Sequence, residues 1–196
     1  MDLTPQAVEL PIQGAFLIDP VVHRDDRGSF RELYSSRSGP GVGKPLSLNQ
    51  ANCSVSARSA LRGISYDLRP TQTKVVTCVK GAVLDVVVDL RQGSPTFGQW
   101  HLAELAECTR RSLLVTPGLG HGYLALTDGA TVLYLLAETF DPEYERRLHP
   151  LDPSLGIAWP DDVRPVLSPK DSAAPGLREA RQKGLLPTFG APPFAG

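Results

Sequence analysis

Val83-Leu84-Asp85-Val86-Val87-Val88-Asp89 decides the fold class of this chain. It is dominated by valine, whose branched Cβ suits an extended backbone. Turn sequences close it on both sides, Lys80-Gly81 before it and Gln92-Gly93-Ser94-Pro95 after it. Alternate residues of a strand share a face, so Asp85 and Asp89 point the same way. Outward from this run the pattern repeats. Residues 14–22, 47–56, 74–79, 82–89, 98–105, 111–115, 122–126 and 131–137 read as strands. Turn signals at 24–28, Pro117-Gly118 and Asp128-Gly129 separate them. Helical patterning is confined to about 172–183, opened by Ser168-Pro169-Lys170-Asp171. Many short strands joined by turns, with one terminal helical segment, predict a mainly β chain folded as a sandwich or jelly-roll barrel.

A length of 196 residues suits one domain, expected over 1–186. The last stretch, 187–196, is rich in Pro, Gly and Ala and reads as a flexible tail. The net charge of −1 gives no basic field for nucleic acid or an acidic membrane, so an anionic ligand would need a few placed cations. Cys53, Cys78 and Cys108 form no CxxC pair; an odd, widely spaced set fits a reducing cytoplasm. Cys78 sits in an apolar run and reads as a small core residue. Residues 1–10 lack the pattern of a signal peptide. No run approaches the roughly 18 apolar residues of a membrane span. The expectation is a cytoplasmic protein that binds neither nucleic acid nor membrane.

Several polar residues fall where a barrel interior would be. Gln50 and Asn52 alternate and share a face. Arg62 follows the apolar pair Ala60-Leu61, and Lys74 opens a strand. Tyr134 interrupts an apolar strand, and His121 follows a Gly-rich turn. Each has a plain structural reading. A tyrosine in an apolar strand is usually a core residue whose hydroxyl finds a partner. A lone histidine after a turn is usually structural, and Arg–Asp pairs in barrels often only fix a loop. The functional reading rests on the set.

The set resembles a known family over nearly the whole chain, from about Gly14 to Leu186. The landmarks are Asp26-Arg27-Gly28, Asn49-Gln50-Ala51-Asn52, Leu61-Arg62-Gly63, the run Asp85 to Arg91, and Ser94-Pro95-Thr96-Phe97-Gly98. Later come Pro117 to Tyr123, Tyr134, Asp152-Pro153, Gly156 to Pro160, and Ser168-Pro169-Lys170-Asp171. In order and spacing they resemble the dTDP-4-dehydrorhamnose 3,5-epimerases, closer to the members serving antibiotic sugar pathways. The resemblance implies a cupin-type jelly-roll β-barrel with a short C-terminal helical segment, and a homodimer made by exchanging N-terminal strands. It implies a dTDP-linked 4-keto-6-deoxyhexose as substrate, epimerised at C3 and/or C5 without a cofactor. Arg27, Phe30 and Glu32 would then reach the partner's site, and Gln50 and Asn52 would hold the thymidine and diphosphate end. Arg62 would lie on the diphosphate, Lys74 near the sugar ketone, and Tyr134 would be the acid that reprotonates the ring. Pro117 to His121 also resembles the second motif of metal-binding cupins. The stretch matching their other histidines, Gly63 to Asp67, has none, so no catalytic metal is expected.

One landmark departs. The family base is the histidine of Arg-Gly-x-His, and here that sequence is Arg62-Gly63-Ile64-Ser65. A serine hydroxyl is a very weak base. Asp171 matches the carboxylate that orients the lost histidine. Thr139-Phe140 stands where the family often carries an aromatic pair. Three readings follow: an epimerase with Asp171 or His121 recruited as base; the same scaffold turned to another isomerisation, dehydration or cyclisation; or a non-catalytic nucleotide-sugar-binding paralogue.

Overall fold

The structure is a computed structural model and describes residues 5–35 and 46–190. The chain runs through β1 (Gln6–Glu9), β2 (Ala15–Asp19), β3 (His23–Asp25), β4 (Gly28–Phe30), β5 (Gln50–Ser56), β6 (Ala60–Asp67), β7 (Lys74–Lys80) and β8 (Ala82–Asp89). It continues through β9 (Trp100–Ala106), β10 (Ser112–Val115), β11 (Leu119–Ala125), β12 (Ala130–Leu136), β13 (Glu145–Arg147) and β14 (Val166–Leu167), then α1 (Pro169–Ser172) and α2 (Leu177–Gln182). Two sheets carry the fold. One has the order β1-β2-β10-β7-β12-β5; the other has β13-β6-β11-β8-β9, with β14 parallel to β6. This is the expected jelly roll. Among the described residues, β3 and β4 pair only with each other.

Strand alternation explains the layers. Inward residues Val76, Cys78, Val83, Val87, Leu113, Val115, Tyr123 and Val132 form the core between the sheets, with Cys78 buried among them as expected. Outward residues of the second sheet, Ile64, Tyr66, Val86, Val88 and Leu90, are covered by Leu148, Leu155, Ala180 and Leu186 from the C-terminal third. Asp89, on β8, is buried at the far end from Asp85. Its carboxylate takes Arg91 Nε at 2.9 Å and Nη2 at 2.7 Å, together with the hydroxyls of Ser94 and Thr96. That pair fixes a loop, as its plain reading holds.

Two expectations need correction. The segment 172–183 is not one helix. Pro175 has no N–H and disfavours a helical Ala174, so α1 ends and α2 restarts from Gly176. Nor is the chain loose from 187. Gln92 N donates to Pro187 O at 2.8 Å, Phe189 N donates to Gln92 O at 2.9 Å, and the Arg91 guanidinium lies 5.1 Å over the Phe189 ring. Residues 191–196 of the expected tail lie outside the described residues.

β6 carries the irregularity that shapes the site. Its register against β11 pairs Tyr123 with Arg62 but His121 with Ser65. Two residues, Gly63 and Ile64, thus oppose Gly122 alone, which is a β-bulge. In a regular strand Arg62 and Ser65 would face opposite sides; the extra residue turns both inward. Only glycine fits at 63: its φ is +103°, and a Cβ there would stand 2.6 Å from the His121 carbonyl oxygen.

Candidate active site

Between the sheets lies a cavity of about 430 Å³. The second sheet supplies two cross-strand rows to its wall. One is Tyr123 and Arg62, with Asp85 paired to Tyr123 on the far side, outside the lining; the next is His121, Ser65 and Arg147. The first sheet supplies Gln50, Asn52 and Ser54 from β5, Tyr134 and Leu136 from β12, and Lys74 from β7. There Asn52 is registered with Tyr134, and Leu136 with both Gln50 and Lys74.

His121 and Asp85 are both buried and share a hydrogen bond of 2.9 Å between Nε2 and Oδ2. Among the described residues, Asp85 Oδ1 is buried without a hydrogen-bond partner. Burial pushes the Asp85 carboxyl up from its ordinary value, against the pull of His121 and Lys74. Burial likewise pushes the Lys74 ammonium down, opposed by Asp67, Glu145 and Asp85. The Tyr134 ring meets the His121 ring edge-on at 6.0 Å between centroids. Burial, with the neighbouring Tyr123 hydroxyl, holds the Tyr134 phenol well above 10. Tyr123 is tied to Ser54 at 2.8 Å and to Ser56 at 2.9 Å.

The rim is polar. Arg62 Nε donates to Ser56 Oγ at 3.0 Å. Gln50 Nε2 donates to Asn52 Oδ1 at 2.9 Å, so the two do share a face, and Gln50 Oε1 accepts from the Phe140 backbone at 2.7 Å. Phe140 lines the cavity. On the side of β13 and α1, Asp171 is 3% exposed. Its Oδ1 accepts from Arg147 Nη1 and its Oδ2 from Ser168 Oγ, both at 2.7 Å.

Thus Ser65, Lys74, His121, Tyr134, Asp171, Gln50, Asn52 and Arg62 all line one cavity. Arg27, Phe30 and Glu32 do not. They belong to the exposed arm around β3 and β4, where Arg27 pairs with Asp25. Sequence reasoning missed Glu145 and Arg147. Their only signal was a charged triplet, Glu145-Arg146-Arg147, which carries no strand pattern. Among the described residues, no three His, Cys, Asp or Glu side chains cluster around a common point.

The sequence profile of the family described as dTDP-4-dehydrorhamnose 3,5-epimerase matches residues 9–179. The chain belongs to this family. A dTDP-4-dehydrorhamnose 3,5-epimerase of Streptomyces griseus is 51% identical over 182 residues, 92% of this chain and 90% of that protein. Among solved structures, a 4-keto-6-deoxy sugar epimerase from the novobiocin biosynthetic gene cluster of Streptomyces spheroides superposes with a TM-score of 0.89 at 48% identity, covering 94% of each chain. A 3'-monoepimerase of Streptomyces bikiniensis in complex with dTDP-quinovose gives a TM-score of 0.86 at 46% identity, covering 91% of each chain. Ser65 lies inside the cavity, beside His121 and Arg147.

Proposed function

We propose that this chain is an isomerase of the epimerase type, acting on a dTDP-linked 4-keto-6-deoxyhexose at C3 and/or C5 in deoxysugar biosynthesis. The observation that carries the reading is the convergence of Lys74 and Tyr134 from one sheet on the His121–Asp85 pair of the other. A C4 ketone acidifies the hydrogens at C3 and C5. Removing one requires a base, a stabiliser for the enolate oxygen, and an acid to return a proton on the other face. Lys74 is the stabiliser: a cation near the ketone favours the enolate over the ground state. Tyr134 is the acid, its high pKa matched to a strongly basic carbon.

For the base, the geometry favours His121 over Asp171. Both oxygens of Asp171 are engaged, by Arg147 and Ser168. His121 gives Nε2 to Asp85, which leaves Nδ1 with the lone pair, and a buried carboxylate beside it stabilises the imidazolium that forms. His121 also neighbours Ser65 in the same row, one strand from the position of the lost histidine. Arg62 suits the diphosphate, since guanidinium bonds to phosphate oxygens are charge-assisted. Gln50 and Asn52 suit the nucleoside end.

A homodimer fits the same reading. β3 and β4 are exposed along their whole length, and Phe30 is 69% exposed. An isolated hairpin is marginal in water. In a dimer that exchanges these arms, Arg27, Phe30 and Glu32 meet the nucleotide of the partner.

The test is solvent deuterium incorporation into dTDP-4-keto-6-deoxyglucose, followed by NMR. Exchange at C3 or C5 above the enzyme-free rate is expected, and its position names the epimerised carbon. No exchange, with binding confirmed by thermal shift, would sink epimerisation and leave another reaction or a binding role.

A further inference from the structure

His121, Ser65 and Arg147 form one cross-strand row over β11, β6 and β13. Side chains paired in this way have Cβ atoms about 5 Å apart. Arg147 lines the cavity beside Ser65 and spans two carboxylates, Asp171 at 2.7 Å and Glu145 at 2.9 Å. A guanidinium stays protonated throughout the pH range of a folded protein, so it donates and never accepts. Arg147, the β13 partner of Ser65, reaches the Asp171 carboxylate. The other charged groups lining the cavity are Arg62, Asp67, Lys74 and Lys170. Asp67 is committed to Arg69, Nη2 to Oδ2 at 2.6 Å.

We propose that Arg147 is a positioning residue that takes Asp171 out of proton transfer and leaves His121 as the proton acceptor of the row. In its catalytic consequence this rests on the epimerase reading above. Its structural half does not: Arg147 and an imidazole at position 65 compete for the same carboxylate. Ser65→His alone therefore does not rebuild a histidine–aspartate pair. The rebuilt pair needs Arg147 removed as well.

The decisive experiment places histidine at 65 in three backgrounds: with Arg147 kept, with Arg147→Ala and with Arg147→Lys. The new ring is titrated by NMR, its signal assigned by difference from the four native histidines. With Arg147 kept, or in the Arg147→Lys background, it is expected to titrate at or below the free value of about 6.5, because a cation stands beside it. In the Arg147→Ala background it pairs with Asp171, and its pKa rises by about one unit or more, the usual effect of a nearby opposite charge. Arg147→Lys keeps the cation and the edge strand, and so controls for a mere loss of packing. Equal titration with Arg147 kept and with Arg147→Ala would overturn the proposal, since no competition would then exist.

The second readout is deuterium exchange into dTDP-4-keto-6-deoxyglucose. The Ser65→His, Arg147→Ala double variant is expected to exceed Ser65→His by about tenfold or more, within the usual range of a positioned base. Equal rates in these two, in proteins that bind dTDP, would overturn the catalytic half. A failure of all variants to bind dTDP would instead sink the substrate reading, and the histidine titration would still decide whether Arg147 holds Asp171.

Discussion

His121 and Ser65 are direct cross-strand partners, and Tyr134 meets the His121 ring edge-on from the opposite sheet at 6.0 Å. The wall beside Ser65 thus carries a histidine on the next strand, already held by a buried carboxylate. His121→Asn should lower solvent exchange into the keto-sugar by about 10²- to 10⁴-fold, the usual worth of a general base. Asp85→Asn should lower it too, because an amide no longer stabilises the imidazolium. Circular dichroism and the thermal shift with dTDP should show both variants folded and binding. Unchanged exchange in His121→Asn would remove it from the mechanism.

Tyr134→Phe separates acid from base. If Tyr134 returns the proton, its loss leaves abstraction in place and blocks inversion. Deuterium should still enter the substrate at a measurable rate, while the epimeric product, followed by NMR, falls by about 10²-fold or more. Equal loss of exchange and inversion would make Tyr134 part of the abstraction step.

How much of this was legible in the sequence follows from what each residue contacts. The valine-rich β8 and the alternating Gln50 and Asn52 obey local rules, and both hold in the structure. β6 was missed because its bulge at Gly63 and Ile64 breaks the period of two on which strand reading depends. β13 was missed because an edge strand of three charged residues has no apolar face. The placement of Arg147 against Asp171 is tertiary, across 24 positions, and no local pattern encodes it. The broken helix was legible in part: Pro175 marks the break, and the apolar spacing on either side masked it.

Lys74 joins stability to activity. Its folded pKa lies below the 10.5 of the free side chain, chiefly through burial. A lowered lysine is a charge that folding disfavours. The cost is present at pH below the folded value, shrinks as pH rises through it, and is gone above 10.5. Lys74→Met keeps the stem and removes the charge. It should raise the melting temperature at neutral pH, with the difference from wild type closing as pH approaches 10.5. Turnover should fall by about 10²- to 10³-fold, as when a preorganised oxyanion donor is removed. A lower melting temperature at pH 7 would mean that the surrounding carboxylates stabilise the ammonium more than burial penalises it.

Asp89 provides the opposite sign, away from the cavity. Burial pushes its carboxyl up, but bonds from Arg91, Ser94 and Thr96 outweigh burial and hold it below 3.8. A depressed carboxylate contributes stability that is fully present above the unfolded pKa and is lost as pH falls through the folded one. Asp89→Asn leaves the buried Arg91 without its counter-charge and frees the 91–97 loop. The expected cost at neutral pH is about 3–5 kcal/mol, typical of breaking a buried pair from one side. Urea titrations of both proteins should show that gap at pH 7 and a narrower one at pH below 3.8, where the wild-type carboxyl takes up its proton. A gap that stays constant from pH 7 to pH 3 would assign the loss to packing and not to charge.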